Sequence, residues 1–125
     1  MMDIVFINKM DNKVTIFFRE AEIKDIGQIQ KVRNSVMENT LSDPALVTDK
    51  DCEEFLTIKG KGWVCEMNGE IIGFSIIDLS RRNVWALFLN PEYEGRGLGR
   101  KLHDVMLDWY FSKTTEPVWL STSKN

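Results

Sequence analysis

Hydrophobic and polar positions change period several times along this 125-residue chain, and each change predicts an element. Ile4, Val5, Phe6 and Ile7 form a short apolar run that predicts a strand, and Met10 to Lys13 reads as a turn. Val14 to Arg19 is rich in β-branched and aromatic residues, which favour strands, so the two runs predict an N-terminal hairpin. The period then lengthens. Ile26, Ile29, Val32, Val36 and Met37 recur at steps of three and four, which places one apolar stripe on a helix ending near Asn39. Ser42-Asp43-Pro44 has the composition of a loop. Thr48 with Asp51 three residues later has the form of a capping box, with Asp in place of Glu. It predicts a shorter second helix carrying Cys52, Phe55, Leu56 and Ile58 and ended by Gly60 and Gly62.

Beyond the glycines the pattern is that of strands. Trp63 to Met67 predicts one, Asn68-Gly69 is a strong hairpin signal, and Ile71 to Leu79 predicts the return strand. After the polar turn Ser80 to Asn83, Val84 to Leu89 is apolar almost throughout, which predicts a central strand buried on both faces. Three successive strands imply an antiparallel meander. Asn90-Pro91 breaks the third, and a glycine-rich turn follows. Leu98, Leu102, Val105, Met106, Trp109 and Tyr110 mark a strongly amphipathic helix, and Val118 to Leu120 a last strand. This order argues for an α+β fold, a sheet with helices packed on its faces. The length, with no repeat or linker, predicts one domain over residues 1–125.

Composition narrows the function classes. The formal net charge of -3 supplies no global basic field, which argues against nucleic acid as a partner. Cys52 and Cys65 are far apart and His103 is the only histidine, so neither a zinc site nor a disulfide scaffold is expected, and no metal is assigned. Both thiols read as small core residues in a reducing compartment. The start lacks the basic and long apolar regions of a signal peptide, and no apolar run is long enough to span a bilayer. The expectation is a cytoplasmic protein with no membrane partner.

The chemistry is concentrated in the stretch from Leu89 to Leu102, Leu-Asn-Pro-Glu-Tyr-Glu-Gly-Arg-Gly-Leu-Gly-Arg-Lys-Leu. A strand runs into a tight turn, and the turn opens a helix. The first N–H groups of a helix lack partners inside it, and the helix dipole adds partial positive charge there. Such a start suits an anion, phosphate above all. Glycines let the anion approach the backbone, and Arg96, Arg100 and Lys101 add cationic side chains. The spacing of Gly95, Gly97 and Gly99 matches neither a P-loop nor the dinucleotide fingerprint.

The segment does resemble the acetyl-CoA signature of the GNAT family of N-acetyltransferases: Gln or Arg, two residues, Gly, one residue, then Gly or Ala. Gly97 and Gly99 stand at the two small positions, and Glu94 stands where the family commonly has Gln or Arg. A carboxylate there adds repulsion near a pyrophosphate. The Leu-Asn-Pro-Glu-Tyr lead-in, the Arg19-Glu20-Ala21 end of the early strand, the two-helix segment and the Asn-Gly hairpin follow in the family's order, so the resemblance covers most of the chain. It implies a GNAT-like acyl-CoA N-acyltransferase fold with a central, mostly antiparallel sheet flanked by helices. It implies acetyl-CoA as co-substrate and a primary amine as acceptor. Leu87, Phe88 and Leu89 would lie along the pantetheine arm; Gly95, Arg96, Gly97, Leu98, Gly99 and Arg100 would hold the pyrophosphate; Asn125 matches an Asn that often contacts the arm.

The same resemblance marks what is missing. The family's final helix, with the Tyr that often protonates the leaving thiolate, and its closing strands have no counterpart after Asn125. A natural truncation, a shortened fragment and a homodimer whose neighbour completes the site all fit, and any of them would expose apolar sheet surface. Amine transfer also needs a general base and a donor for the developing oxyanion, for which a backbone N–H near Leu89 could serve. Asp78 and Glu38 are the carboxylate candidates for the base, although solvated surface roles are the commoner fate of such residues. Trp85 is core or lines the acceptor cleft. The acceptor is expected near residues 34–48, where Glu38, Asp43 and Asp49 could attract a cationic amine. The competing reading is a non-catalytic acyl-CoA-binding module.

Overall fold

A computed structural model describes residues 2–7, 13–37 and 47–120. It contains strands β1 (Met2–Ile7) and β2 (Lys13–Glu20), helices α1 (Ile26–Met37) and α2 (Asp49–Glu54), strands β3 (Gly60–Met67), β4 (Glu70–Asp78) and β5 (Asn83–Leu89), helix α3 (Leu98–Lys113) and strand β6 (Trp119–Leu120). The strands form one mixed sheet in the order β1-β2-β3-β4-β5-β6. The first five are successive antiparallel neighbours, and β6 joins β5 in parallel. The N-terminal hairpin and the meander are both present, the latter turning at Asn68 and Gly69 with φ of 50° and 83°. The turn at residues 10–12, the loop at 42–44 and the helix end at Asn39 lie outside the described residues.

Periodicity explains the packing. Ile26, Ile29 and Val32 of α1 are buried against Val64, Ile71, Phe74, Ile76 and Ala86 on one face of the sheet. Leu98, Leu102, Met106 and Tyr110 of α3 are buried on the opposite face, with Ile72, Ile77 and Val84. Burying each such side chain contributes about 1.5–3 kcal/mol, so these two stripes hold the layers together. Among the described residues no helix is long and apolar enough to cross a membrane.

Three expectations are corrected. The strand buried on both faces is β4, not β5: every β4 residue after Glu70 is buried, whereas β5 alternates between buried and half-buried. β4 is paired along both edges and covered by α1 and α3, while β6, among the described residues, pairs with Asn83 and Val84 of β5. β3 starts at Gly60 and not at Trp63, so Gly60 both caps the helical run and, with Gly62, opens the strand. A Cβ at Gly60 would lie 1.7 Å from the Ile77 carbonyl oxygen, so the strand needs glycine to pair this closely. Ile58 is not on an apolar face: α2 runs into a π-helical turn, Phe55–Lys59, whose wider winding shifts the phase and leaves Ile58 79% exposed. Thr48 and Asp51 do form the reciprocal capping box.

A buried ion cluster ties β2 to β3 and to the entry of α1. Arg19 donates from Nη1 and Nη2 to the two Asp25 carboxylate oxygens at 2.8 and 2.9 Å, and from Nε and Nη2 to Glu66 Oε1 at 3.2 and 2.9 Å. Glu22 N–H donates to Asp25 Oδ2 at 2.7 Å. Burial pushes the Asp25 carboxyl up, but the hydrogen bonds and charge of Arg19 and the Glu22 N–H outweigh it and hold it below its ordinary value of 3.8. The same bonds raise the Arg19 guanidinium further.

A carboxyl whose folded pKa is depressed stabilises the fold above its unfolded pKa, and that stability is lost as pH falls. Asp25→Asn should therefore cost roughly 3 kcal/mol at pH 7, and urea titrations should show the difference from wild type shrinking below about pH 4. A second test concerns glycine. Gly60→Ala should lower the thermal midpoint sharply because backbone must move. Gly27→Ala, at a helical position with no atom within 4 Å of a Cβ, should instead stabilise by about 0.5–1 kcal/mol.

Candidate functional site

The site grows out of the exit from β5. Asn90 N–H donates to the Ile72 carbonyl at 2.8 Å, which pins the exit to β4. The Asn90 side chain accepts from Glu92 N–H at 3.0 Å, and Pro91 fixes the short 3-10 turn Pro91–Tyr93. Gly73 lies opposite Leu89, and a Cβ there would meet Leu89 Cδ1 at 2.8 Å and Leu102 Cδ1 at 3.1 Å. The missing side chain thus lets the end of β5 and the first turn of α3 close over β4.

The chain then passes through Gly95 and Gly97, both in the left-handed region with φ of 82° and 78°. Gly97 caps α3 with no side-chain hydrogen bond. The first bond across the helix start runs from Lys101 N–H to the Gly97 carbonyl at 3.1 Å. The N–H groups of Leu98, Gly99 and Arg100 precede it and face outward from the helix start. Gly95, Arg96 and Gly97 are exposed, and a Cβ on Gly95, Gly97 or Gly99 would meet nothing within 4 Å, so space for a ligand lies over this turn. Arg96 stands over the Tyr93 ring, 5.5 Å from its centroid, which keeps its charge at the turn.

A groove of about 320 Å³ runs from this turn along β5, lined by Val36, Leu87, Phe88, Leu89, Glu94 and Gly99. Among the described residues, β6 pairs with β5 at Asn83 and Val84, at the end of β5 away from the groove. The structure therefore brings together Leu87, Phe88 and Leu89 with Gly95 to Arg100. Leu98 takes part through its backbone, since its side chain is buried in the core. The chemistry of the arrangement is plain: an apolar groove along a strand suits an extended chain, and the helix start suits a phosphate. A CoA thioester has both parts, and the residues fit it.

Other candidates are placed elsewhere. Asp78 lies at the opposite end of β4, opposite Asn83, roughly 16 Å from Gly73 by the strand rise. It is buried, and its Oδ1 accepts from Ser80 Oγ at 2.6 Å and from Arg81 N–H at 3.1 Å, so it caps the β4–β5 turn and is removed from the groove. Glu38, Asp43 and Asn125 lie outside the described residues. Asp49 is exposed at the start of α2, within 3.4 Å of Gln30 Nε2. Both tyrosines are engaged: Tyr93 under Arg96, and Tyr110 donating to the Pro117 carbonyl at 3.1 Å. Cys52 and Cys65 are buried free thiols, and burial pushes Cys65 up to about 12, which makes it a poor nucleophile. Among the described residues no cluster of His, Cys, Asp and Glu could hold a metal ion.

Sequence reasoning missed two contributors. Val36 closes the groove from α1, but its spacing marked it only as one of the core-facing positions. Gly73 sits inside a run of apolar strand residues, and only the three-dimensional approach of Leu89 and Leu102 shows why it lacks a side chain.

Comparison with known proteins places this geometry. The fold matches a mutant form of protein BH1408 from Bacillus halodurans with a TM-score of 0.73 and 15% identity, over 86% of this chain and 82% of that one. It matches an aminoglycoside N-acetyltransferase in complex with CoA with a TM-score of 0.69 and 16% identity, over 86% and 77%. A predicted acetyltransferase from Clostridium acetobutylicum, with acetyl-CoA, matches with a TM-score of 0.70 and 17% identity, over 87% and 82%. No curated protein sequence matches. At these identities the structures establish the fold alone, but the sequence profile of the Acetyltransferase (GNAT) family matches residues 26–125. With signature turn, fold and profile in agreement, the chain belongs to the Acetyltransferase (GNAT) family.

Proposed function

We propose that the chain is one GNAT-like acetyltransferase domain over residues 1–125, working in the cytoplasm as an acetyl-CoA-dependent N-acetyltransferase. It transfers the acetyl group to a primary amine of a small molecule or protein. The observation that carries the reading is the continuity of a groove along Leu87, Phe88 and Leu89 of β5 with a glycine-built helix start. Leu87, Phe88 and Leu89 offer backbone groups to the pantetheine amides. The N–H groups of Leu98, Gly99 and Arg100 bind the pyrophosphate, with Arg96 and Arg100 supplying positive charge. A backbone N–H near Leu89 is the donor proposed for the carbonyl oxygen, and Glu38 is the remaining carboxylate proposed as base. Homodimerisation fits the same reading, because Phe111, Trp119 and Leu120 are 49%, 67% and 61% exposed and a second copy would cover them.

A second reading, a CoA-binding module without transfer, draws support from Tyr110, whose hydroxyl is committed to the Pro117 carbonyl and is not available as the acid for a leaving thiolate.

Calorimetric titration of acetyl-CoA is expected to show saturable binding near micromolar, about -8 kcal/mol. Glu94→Gln removes a carboxylate that lines the groove beside Gly99, and affinity should rise two- to five-fold, or about 0.5–1 kcal/mol. Unchanged or weaker binding would place the pyrophosphate away from this turn. To separate the two readings, thiol release is followed with acetyl-CoA across a panel of cationic and neutral amines. Amine-dependent release identifies the transferase, and a cationic preference supports the acidic residues near 34–48 as acceptor determinants. Tight CoA binding with no release beyond background identifies the module.

A further inference from the structure

Arg96 stands between two glycines, Gly95 and Gly97, that both adopt left-handed backbone, and its own side chain is exposed. Such a residue ordinarily carries its charge on a loose tether. Glycine restricts the backbone less than any other residue, and an exposed arginine samples many rotamers. Glu94, two residues earlier, lines the groove beside this turn, so a wandering guanidinium has a carboxylate close by to fold back on. The guanidinium carbon is found instead 5.5 Å from the centroid of the Tyr93 ring. The face of an aromatic ring carries negative charge density and attracts a cation.

The ring is itself held on the sheet. Tyr93 is half-buried and packs against the core cluster that contains Leu98 and Leu102. Its N–H donates to the Asn90 carbonyl at 2.9 Å and closes the 3-10 turn, and Asn90 N–H donates to the Ile72 carbonyl of β4 at 2.8 Å. A chain of short contacts thus runs from the buried strand through Asn90 and Tyr93 to a charge that has no rigid backbone of its own.

Resting on the acetyl-CoA reading, we propose that Tyr93 is a positioning residue whose ring holds the Arg96 guanidinium at the glycine turn, so that the phosphates of CoA meet a charge already in place. Tyr93 touches no ligand in this scheme and acts through Arg96. A guanidinium held in this way gives up less freedom when it binds a phosphate, which strengthens binding without adding a contact. The ring does the holding, so the phenolic hydroxyl contributes nothing. A tyrosine that merely filled space against Leu98 and Leu102 would matter equally whether or not residue 96 carried a charge.

A double-mutant cycle separates the two roles. Free CoA is titrated into wild type, Tyr93→Leu, Tyr93→Phe, Arg96→Gln and the Tyr93→Leu/Arg96→Gln double variant, with thermal unfolding recorded for each. Arg96→Gln should weaken binding roughly tenfold, and Tyr93→Leu roughly two- to fivefold. Tyr93→Phe, which keeps the ring, should bind as wild type does. The double variant should bind as Arg96→Gln alone, within about twofold, because without the charge the ring has nothing to hold. Tyr93→Met, unbranched and able to fill the same contact without a ring, carries the same readout in both backgrounds if the leucine variants fail to fold. Equal losses from removing the ring with and without Arg96, no loss from removing it, or a phenylalanine variant as weak as leucine overturns the positioning role. CoA binding that is indifferent to Arg96→Gln overturns it as well and leaves the acetyl-CoA reading standing. Failure of CoA to bind folded wild type overturns that reading, and the role of Tyr93 with it.

Discussion

Burial of β4 on both faces and both edges is the constraint from which the rest of the structure follows. A strand so enclosed must have every polar group satisfied inside the protein. Ser75, fully buried, donates to the Leu102 carbonyl at 3.3 Å, and Asp78 is consumed by the turn it caps. No buried side-chain polar atom among the described residues lacks a partner. With β4 fixed, its two neighbours differ. β3 pairs with β4 along its length and is anchored further by the Arg19 cluster, whereas β5 pairs with β4 and, among the described residues, with β6 at Asn83 and Val84. The groove lies along the C-terminal half of β5, where the strand exits toward α3.

Much of this was legible in the chain. The helical stripes of α1 and α3, the Asn-Gly turn and the capping box are local features, set by residues within a few positions of one another, and local signals are what a sequence displays. The glycine turn that opens α3 was legible for the same reason, because glycine spacing, proline and the following helix lie within fourteen consecutive residues. The misreadings share the opposite cause. The half-buried state of β5 depends on what distant elements pack against its two faces. The strand role of Gly60 depends on Ile77, and the exposure of Ile58 on a π-helical winding that periodicity of 3.6 cannot anticipate. Asp78 illustrates the limit for chemistry: a carboxylate beside the cofactor strand in sequence order lies at the wrong end of it in space.

Electrostatics at the site are local as well. A chain of net charge -3 presents no general attraction for a polyanion, yet the turn supplies what one needs from backbone dipoles and from Arg96 and Arg100. Fixed N–H groups cost no side-chain entropy on binding, and they do not titrate. Glu94 therefore perturbs the site without abolishing its logic, because the groups that define it are not side chains.

Helix α3 also acts as a gauge. Its 16 residues span about 24 Å, close to the roughly 23 Å of the seven-residue β5 that it retraces. One end of the gauge presents the phosphate turn. At the other, Tyr110 clamps the loop that lays β6 beside Asn83. The glycine turn at the start of α3 and the entry to β6 are thus two ends of one rigid rod. Deleting a single residue from α3 would shorten the rod by about 1.5 Å and rotate one end against the other by roughly 100°. Variation among related chains should therefore collect in the loops at either end of α3, while its length in residues stays constant.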